Sequence, residues 1–281
     1  MARINNLARV VGALTSRAWA MQAEALDELL QLAQRKDVDL VALAAKSDVD
    51  VADYWMPYVE GNVAIIPVKG PLFAEASWLD VMCGATSYAR IEAHLTEARN
   101  DRKVDAIILL GDTPGGEVTG CGELAGYIRE IAEEKLVVFY AAGGCCSAGY
   151  WLASACSSIV VSPTAIVGCL GVAGTVKDFR KAEEMLGIKS YEIVSTATPD
   201  KRPDPATKEG MAQMVGLIDF LAEVFLTDVA INRGVTRAIV DEKFGKGNVF
   251  VGKDAVTAGM ADELGSLFDV LSVLQKNLEA A

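Results

Sequence analysis

The sequence is poor in the residues that many hydrolases and metalloproteins depend on. Its 281 residues include one histidine, His94. One histidine cannot build a metal site of two or three imidazoles. A Ser-His-Asp or Cys-His arrangement would have to pass through it. No cluster of acids offers a carboxylate metal site instead, so no metal is expected. Positive charge is also scarce. Lys and Arg number 26 against 38 Asp and Glu, a formal charge of −12, which argues against a nucleic-acid partner held through phosphates. There is no CxxC pair among Cys83, Cys121, Cys145, Cys146, Cys156 and Cys169. Cys145 and Cys146 are adjacent, which suits neither zinc nor a disulfide staple, so free buried thiols in a reducing cytoplasm are expected. No stretch of 18 uncharged apolar residues exists, and Arg9 and Arg17 interrupt the apolar start, so no membrane anchor or signal peptide is expected. Aromatics are only 7% although hydrophobic residues reach 52%. Alanine, valine and leucine must therefore build the core, as in layered α/β packing.

What is present falls into two parts. Leucine and alanine recur at helical spacing over residues 19–46, and 47–62 is charged and aperiodic. This predicts a helical N-terminal region with a linker (1–62), followed by a main domain (63–281). From Val63 onward, apolar runs alternate with helical patterns. VAIIPVKGPL (63–72), VDAIILLGD (104–112), KLVVFYAA (135–142), SSIVVSP (157–163) and KSYEIVST (189–196) read as strands. Helices are expected over YARIEAHLTEARN with Ser87 as its cap, over 117–134, over 147–156, at roughly 178–186, and from Asp204-Pro205 to about Arg233 with Gly234 beyond. Such alternation implies a largely parallel sheet covered by helices.

Two glycine-rich turns follow buried strands, GDTPGGEVTG (111–120) and AAGGCCSAGYW (141–151). Ligands bind at the carboxyl ends of parallel strands, so both turns should share one edge. Neither is a phosphate loop, and no dinucleotide-binding glycine pattern occurs, so no cofactor is expected. Gly115 and Gly116 remove side chains where a backbone can approach a substrate, leaving N–H groups as donors. A tight strand-to-helix turn that needs glycine dihedrals is the plainer reading of the pair on its own. Ser147 begins a helix of small residues, where the helix dipole favours an oxyanion and the Ala148 N–H points the same way. Ser147 as a simple helix cap is the alternative. His94 sits among acids and arginines in a helix and reads as a solvated or half-buried helical residue. The remaining base for a serine is a lysine, which works only when neutral and so must be desolvated or set near other cations. Lys201 in TATPDKRPDPAT is the first candidate, with Arg202 beside it, although by composition alone it reads more readily as a surface-loop lysine, and Lys177 is the second.

In combination these motifs carry a resemblance. VAIIPVKGPL, the DTPGG turn, GGCCSAGYWLASA, SPTAIVGCLGV, Lys201 and FVGKDAVTAGMADELGS occur in order between Val63 and about Ser266. The block resembles the signal-peptide-peptidase-A family of serine-lysine proteases and is most similar to its phage capsid-assembly (head maturation) branch. The resemblance implies an α/β Clp-protease/crotonase-like fold of repeated ββα units. It implies Ser147 as nucleophile, Lys201 as general base, and an oxyanion hole from Gly115 or Gly116 with Ala148. In the family's G-S-[IL]-G-V motif a serine holds the lysine amine. This chain has Gly168-Cys169-Leu170-Gly171-Val172, and a thiol is the weaker partner. The implied function is a serine endopeptidase cleaving scaffold and capsid polypeptides in the host cytoplasm, within an assembling shell, as a homo-oligomer. Two other readings stay open: a non-catalytic capsid assembly or scaffold protein, and a crotonase-type acyl-CoA enzyme.

Overall fold

The computed structural model describes residues 18–34, 56–75 and 85–279. The helical pattern over 35–46, most of the expected linker and Cys83 lie outside them. The chain begins with β1 (Trp19–Met21), α1 (Ala23–Gln34), β2 (Tyr58–Glu60), β3 (Val63–Lys69), β4 (Leu72–Phe73), β5 (Thr86–Ser87) and α2 (Tyr88–Asn100). It continues with β6 (Ala106–Thr113), β7 (Gly115–Glu117), α3 (Cys121–Ala132), β8 (Leu136–Cys146), α4 (Ala148–Ser154), β9 (Ser158–Val161) and β10 (Ile166–Gly168). The last part holds α5 (Arg180–Met185), α6 (Lys208–Asn232), α7 (Arg237–Lys243), β11 (Val249–Val251), α8 (Lys253–Thr257), β12 (Glu263–Leu264) and α9 (Leu267–Glu279).

The continuous apolar runs form the centre of one sheet, in the order β11-β10-β8-β6-β3-β2, with β9 joined to β8 and β12. Its inner pairs, β3 with β6, β6 with β8 and β8 with β9, are parallel. Successive side chains point to opposite faces. Ile66, Ile107, Leu109, Val137 and Phe139 pack on one face, where α2, α3 and α4 lie. Ile65, Ile108, Val138 and Tyr140 pack on the other, against Val270, Leu271 and Leu274 of α9. Both faces are buried, so these strands cannot alternate apolar with polar. A second, smaller sheet has the order β1-β7-β4-β5. The units β3-β4-β5-α2 and β6-β7-α3 repeat one pattern: a core strand, a short strand in the small sheet, then a covering helix. This is the α/β architecture of ββα units that the resemblance implies.

Several boundaries differ from the sequence reading, each for a local reason. Residues Trp19–Met21 are a strand and not the start of a helix, because all three pair with β7 and Trp19 also pairs with Ala173. Tyr58–Glu60, expected in the linker, form an edge strand antiparallel to β3. The helix expected from 117 begins at Cys121, since 115–117 form β7 and Gly120 is left-handed at φ 86. β8 runs past Ala142 to Cys146, and Gly143 makes that possible: a Cβ there would lie 2.3 Å from Asp112 Oδ1. The long helix is capped by Thr207, whose hydroxyl accepts from the Gly210 N–H, and not by Asp204. The largest difference is KSYEIVST, which forms no strand. Its alternation is real, but a strand needs a ladder partner. Here Tyr191 and Ile193 are exposed, the latter at 94%. Ser87 caps α2 as expected, accepting from the Arg90 N–H at 3.3 Å.

Candidate active site

The two glycine turns meet at one edge of the main sheet. The Gly144 N–H donates to Asp112 Oδ1 at 2.7 Å, and Thr113 is in register with Cys145. A Cβ on Gly149 would sit 2.3 Å from Thr113 Cγ2, and one on Gly115 would sit 2.9 Å from the Ser147 Cβ. Neither position has room for a side chain, so both are glycine.

Ser147 lies in the sharp turn between β8 and α4, with φ 53 and ψ −117. A non-glycine residue there is strained, and such strain persists only where the surroundings fix it. The fixing is visible. The Ser147 N–H donates to the Gly168 carbonyl at 2.7 Å. α4 is buried along its whole length. Trp151 stacks on Phe225 at 4.5 Å and donates Nε1–H to Asp228 Oδ2, while the Tyr150 hydroxyl donates to the Met260 carbonyl. The serine side chain makes no capping bond to α4. Its hydroxyl donates to the Gly171 carbonyl at 3.5 Å, so a simple helix cap does not describe it. Ala148 is the first residue of α4, and its N–H has no acceptor within the helix.

The neighbouring glycines differ. Gly115 has φ 111, and its N–H donates to Thr113 Oγ1 at 3.1 Å. Thr113 itself donates to the Gly70 carbonyl at 2.6 Å. The inward-turned Gly115 N–H leaves Gly116 as the one that faces the neighbouring strand β1, in register with Ala20. Thr113 was not singled out in the sequence, although its place directly before Pro-Gly-Gly is the signal for it.

Cys169 stands next to Gly168, the acceptor of the Ser147 N–H. It is half-buried with φ 55, and its N–H donates to the Asn248 carbonyl. Burial, and then the Glu24 carboxylate, push its thiol up. Cys145 and Cys146 are buried at the end of β8, and burial pushes the Cys146 thiol up to about 12. These are packing residues, not nucleophiles. The five described cysteines are free.

The structure thus brings together Ser147, Gly115, Gly116, Ala148 and Cys169. It does not bring Lys201 to them. Lys201 lies on an exposed 3-10 turn, Pro199–Lys201, and Lys177 is also exposed. Arg202 pairs with Glu192 at 2.8 Å and so is already neutralised. His94 is half-buried on α2, the second of the two placements expected, and burial and then Arg90 lower its pKa. Among the described residues no group of His, Cys, Asp and Glu could hold a metal, and no helix is long and apolar enough to cross a membrane.

Residues 129–281 match the model of peptidase family S49. Capsid assembly protease C of Escherichia phage lambda is 32% identical over 244 residues, 86% of this chain and 55% of that protein. The head-tail preconnector protein GP5 of Enterobacteria phage P21 is 29% identical over 88% of this chain and 50% of its own length. Protease 4 of Salmonella typhi is 28% identical over 75% of this chain and 34% of its own. The chain spans about half the length of its phage relatives. Among solved structures, the 1510-N membrane-bound stomatin-specific protease aligns over 76% of this chain and 80% of its own, with 16% identity and a TM-score of 0.45.

Proposed function

The chain belongs to peptidase family S49, and on that premise we propose that it is a serine endopeptidase with Ser147 as nucleophile and Lys201 as general base. The observation that carries this reading is the setting of Ser147: strained at φ 53, buried, and at the start of α4, whose first N–H has no acceptor within the helix. Ser147 Oγ attacks a peptide carbonyl and its proton passes to the Lys201 amine. The oxyanion is held by the N–H groups of Gly116 and Ala148, while Thr113 keeps the Gly115 N–H turned inward and fixes the loop. Protonated Lys201 then gives its proton to the leaving amine. Water, activated by the same lysine, hydrolyses the acyl-enzyme.

Lys201 reaches the site through association of copies. Two features support this. The lysine is exposed in the single chain, and the first half of α6 carries the exposed apolar residues Met211, Val215, Leu217 and Phe220. The second half of the same helix buries Phe225, Val229 and Ala230 in the body. A helix that packs along half its length leaves the rest for a neighbour. The N-terminal region (1–62) and the peptidase domain (63–281) are two parts of this unit. The names of the phage relatives support scaffold and capsid polypeptides as substrates, cleaved in the host cytoplasm within an assembling procapsid. The exposure of Lys201 also favours a second reading, an assembly protein that keeps the fold without the chemistry.

The test uses an unfolded protein substrate such as β-casein with three samples: wild type, Ser147→Ala and Lys201→Ala. Both variants are expected to be inactive alone. A mixture of the two is expected to regain activity when copies exchange, because one supplies the serine and the other the lysine. Undiminished cleavage by Ser147→Ala would remove the assignment, and an inactive wild type would favour the assembly protein.

A further inference from the structure

The peptide slot of the site is already filled, and it is filled by this chain. β1 is three residues long, too short to be stable unless held. It lies antiparallel to β7, with Trp19 opposite Glu117, Ala20 opposite Gly116 and Met21 opposite Gly115. The Gln22 N–H donates to the Pro114 carbonyl at 2.9 Å, and the Val118 N–H donates to the Ala18 carbonyl at 3.4 Å. On its other side Trp19 exchanges both backbone hydrogen bonds with Ala173, each 2.9 Å. An extended segment bonded along both edges is how a bound peptide is held by strand addition.

The register singles out one peptide group. In an antiparallel ladder, hydrogen-bonded pairs alternate with non-bonded ones. Bonds at Ala18 with Val118 and at Gln22 with Pro114 make Ala20 with Gly116 the bonded pair between them. The Ala20 carbonyl is therefore the one received by the Gly116 N–H. A Cβ built on Gly115 would lie 2.2 Å from the Ala20 oxygen, 2.8 Å from the Met21 Cα and 2.9 Å from the Ser147 Cβ. The Ala20–Met21 peptide group and Ser147 crowd the same face of one glycine. Ser147 is 1% exposed and Ala20 0%.

We propose that the chain is its own substrate and that Ser147 cleaves the Ala20–Met21 bond. This rests on the peptidase reading above and adds its site. Ser147 Oγ adds to the Ala20 carbonyl carbon and its proton goes to the amine base. The bond to the Met21 nitrogen breaks, and that nitrogen takes the proton and leaves as a new N-terminus. One water then hydrolyses the ester, yielding the Ala20 carboxylate and restoring the hydroxyl. The slot also defines a substrate class. The acyl side carries a small residue, since Ala20 is fully enclosed. The residue before it is a large apolar one, since Trp19 packs edge-on against Phe73 at 5.7 Å.

The test is intact mass and N-terminal sequencing of the full chain, run beside a synthetic peptide of residues 14–26 (LTSRAWAMQAEAL) and β-casein. Wild type is expected to yield fragments 1–20 and 21–281 and to cut the peptide between its Ala-Trp-Ala and Met-Gln. Ser147→Ala is expected to stay whole. Ala20→Phe is expected to stay whole at this bond yet still cut the peptide. If Ala20→Phe fails to fold, by circular dichroism, the wild-type chain and the peptide decide. A wild type that cuts casein while residues 20 and 21 stay joined in both chain and peptide overturns the proposal and leaves the peptidase reading intact. A wild type that cuts neither itself, the peptide nor casein overturns both.

Discussion

Ser147 and Lys201 stand in opposite kinds of surroundings. Around Ser147 nearly every group is enclosed. α4 is buried throughout, three glycines admit backbone contact, and a ladder closes on each side. From Ala173 to Lys201 almost every residue is exposed, and no strand forms. The contrast teaches that the nucleophile is positioned by the core of its own chain, whereas the proposed base is not. Catalytic geometry needs groups held to within about 0.5 Å, which an exposed turn does not provide by itself. Truncating the side chains packed around Ser147 should therefore disturb fold and chemistry together, and changes near Lys201 chemistry alone.

The sharpest break in that comparison is removal of the hydroxyl. Ser147→Ala is expected to lower casein hydrolysis by at least about 10⁴-fold, as loss of a nucleophile does elsewhere. Its side chain makes one long hydrogen bond, so the unfolding midpoint should barely move. On the other side, Lys201→Ala is expected to remove activity to a similar extent with a stability change within about 0.5 kcal/mol, the range for surface substitutions. Lys177→Ala should keep activity. Loss of activity in Lys177→Ala with retention in Lys201→Ala would exchange the two lysines and leave the contrast standing.

The next effect is on the scaffold. Trp151→Ala removes the ring stacked on Phe225 and the bond to Asp228, and is expected to cost about 3–5 kcal/mol in chemical denaturation, as large core truncations do. Ile193→Ala, at an almost fully exposed position, should cost close to nothing. Equal effects at the two positions would mean that residues 173–201 are packed in the working protein, and would support coverage by a second copy.

Much of the enclosed half is legible in the sequence, and the reason is physical. Runs such as Ala106–Leu110 are apolar because both sheet faces are covered, and Gly143, Gly144 and Gly149 are glycine because the Asp112 side chain, the Thr113 backbone and the Thr113 side chain occupy the space a Cβ would take. The shared edge of the two turns follows from the parallel sheet alone. What was not legible depends on pairing. Nothing in Trp19-Ala20-Met21 distinguishes a strand from the start of α1, because its ladder partners lie almost a hundred residues away. KSYEIVST shows the converse error. It has the alternation of a strand and finds no partner in the described residues. The Gly115 and Gly116 roles also could not be separated from composition, since only the hydrogen bond to Thr113 tells one N–H from the other.

The smallest expected effect concerns His94, which belongs to neither half. His94→Gln should leave peptide cleavage unchanged, because the residue lies on α2 and the hydroxyl of Ser147 is directed to Gly171. It should nonetheless be visible in stability. Burial, and then the neighbouring Arg90, hold the folded-state pKa of His94 below the ordinary histidine value of about 6.5. The unfolded chain therefore binds the proton first as pH falls. By linkage, wild-type stability is full above about 6.5. It declines as pH drops from there to the depressed native value, and does not decline further on this account below it. Glutamine has no such proton, so the difference between wild type and His94→Gln should change across that window and be constant on either side. A denaturation series from pH 8 to pH 5 measures it. A difference that stays flat throughout would place His94 in solvent, and a fall in cleavage rate at pH 8 would give the single histidine a part in the chemistry.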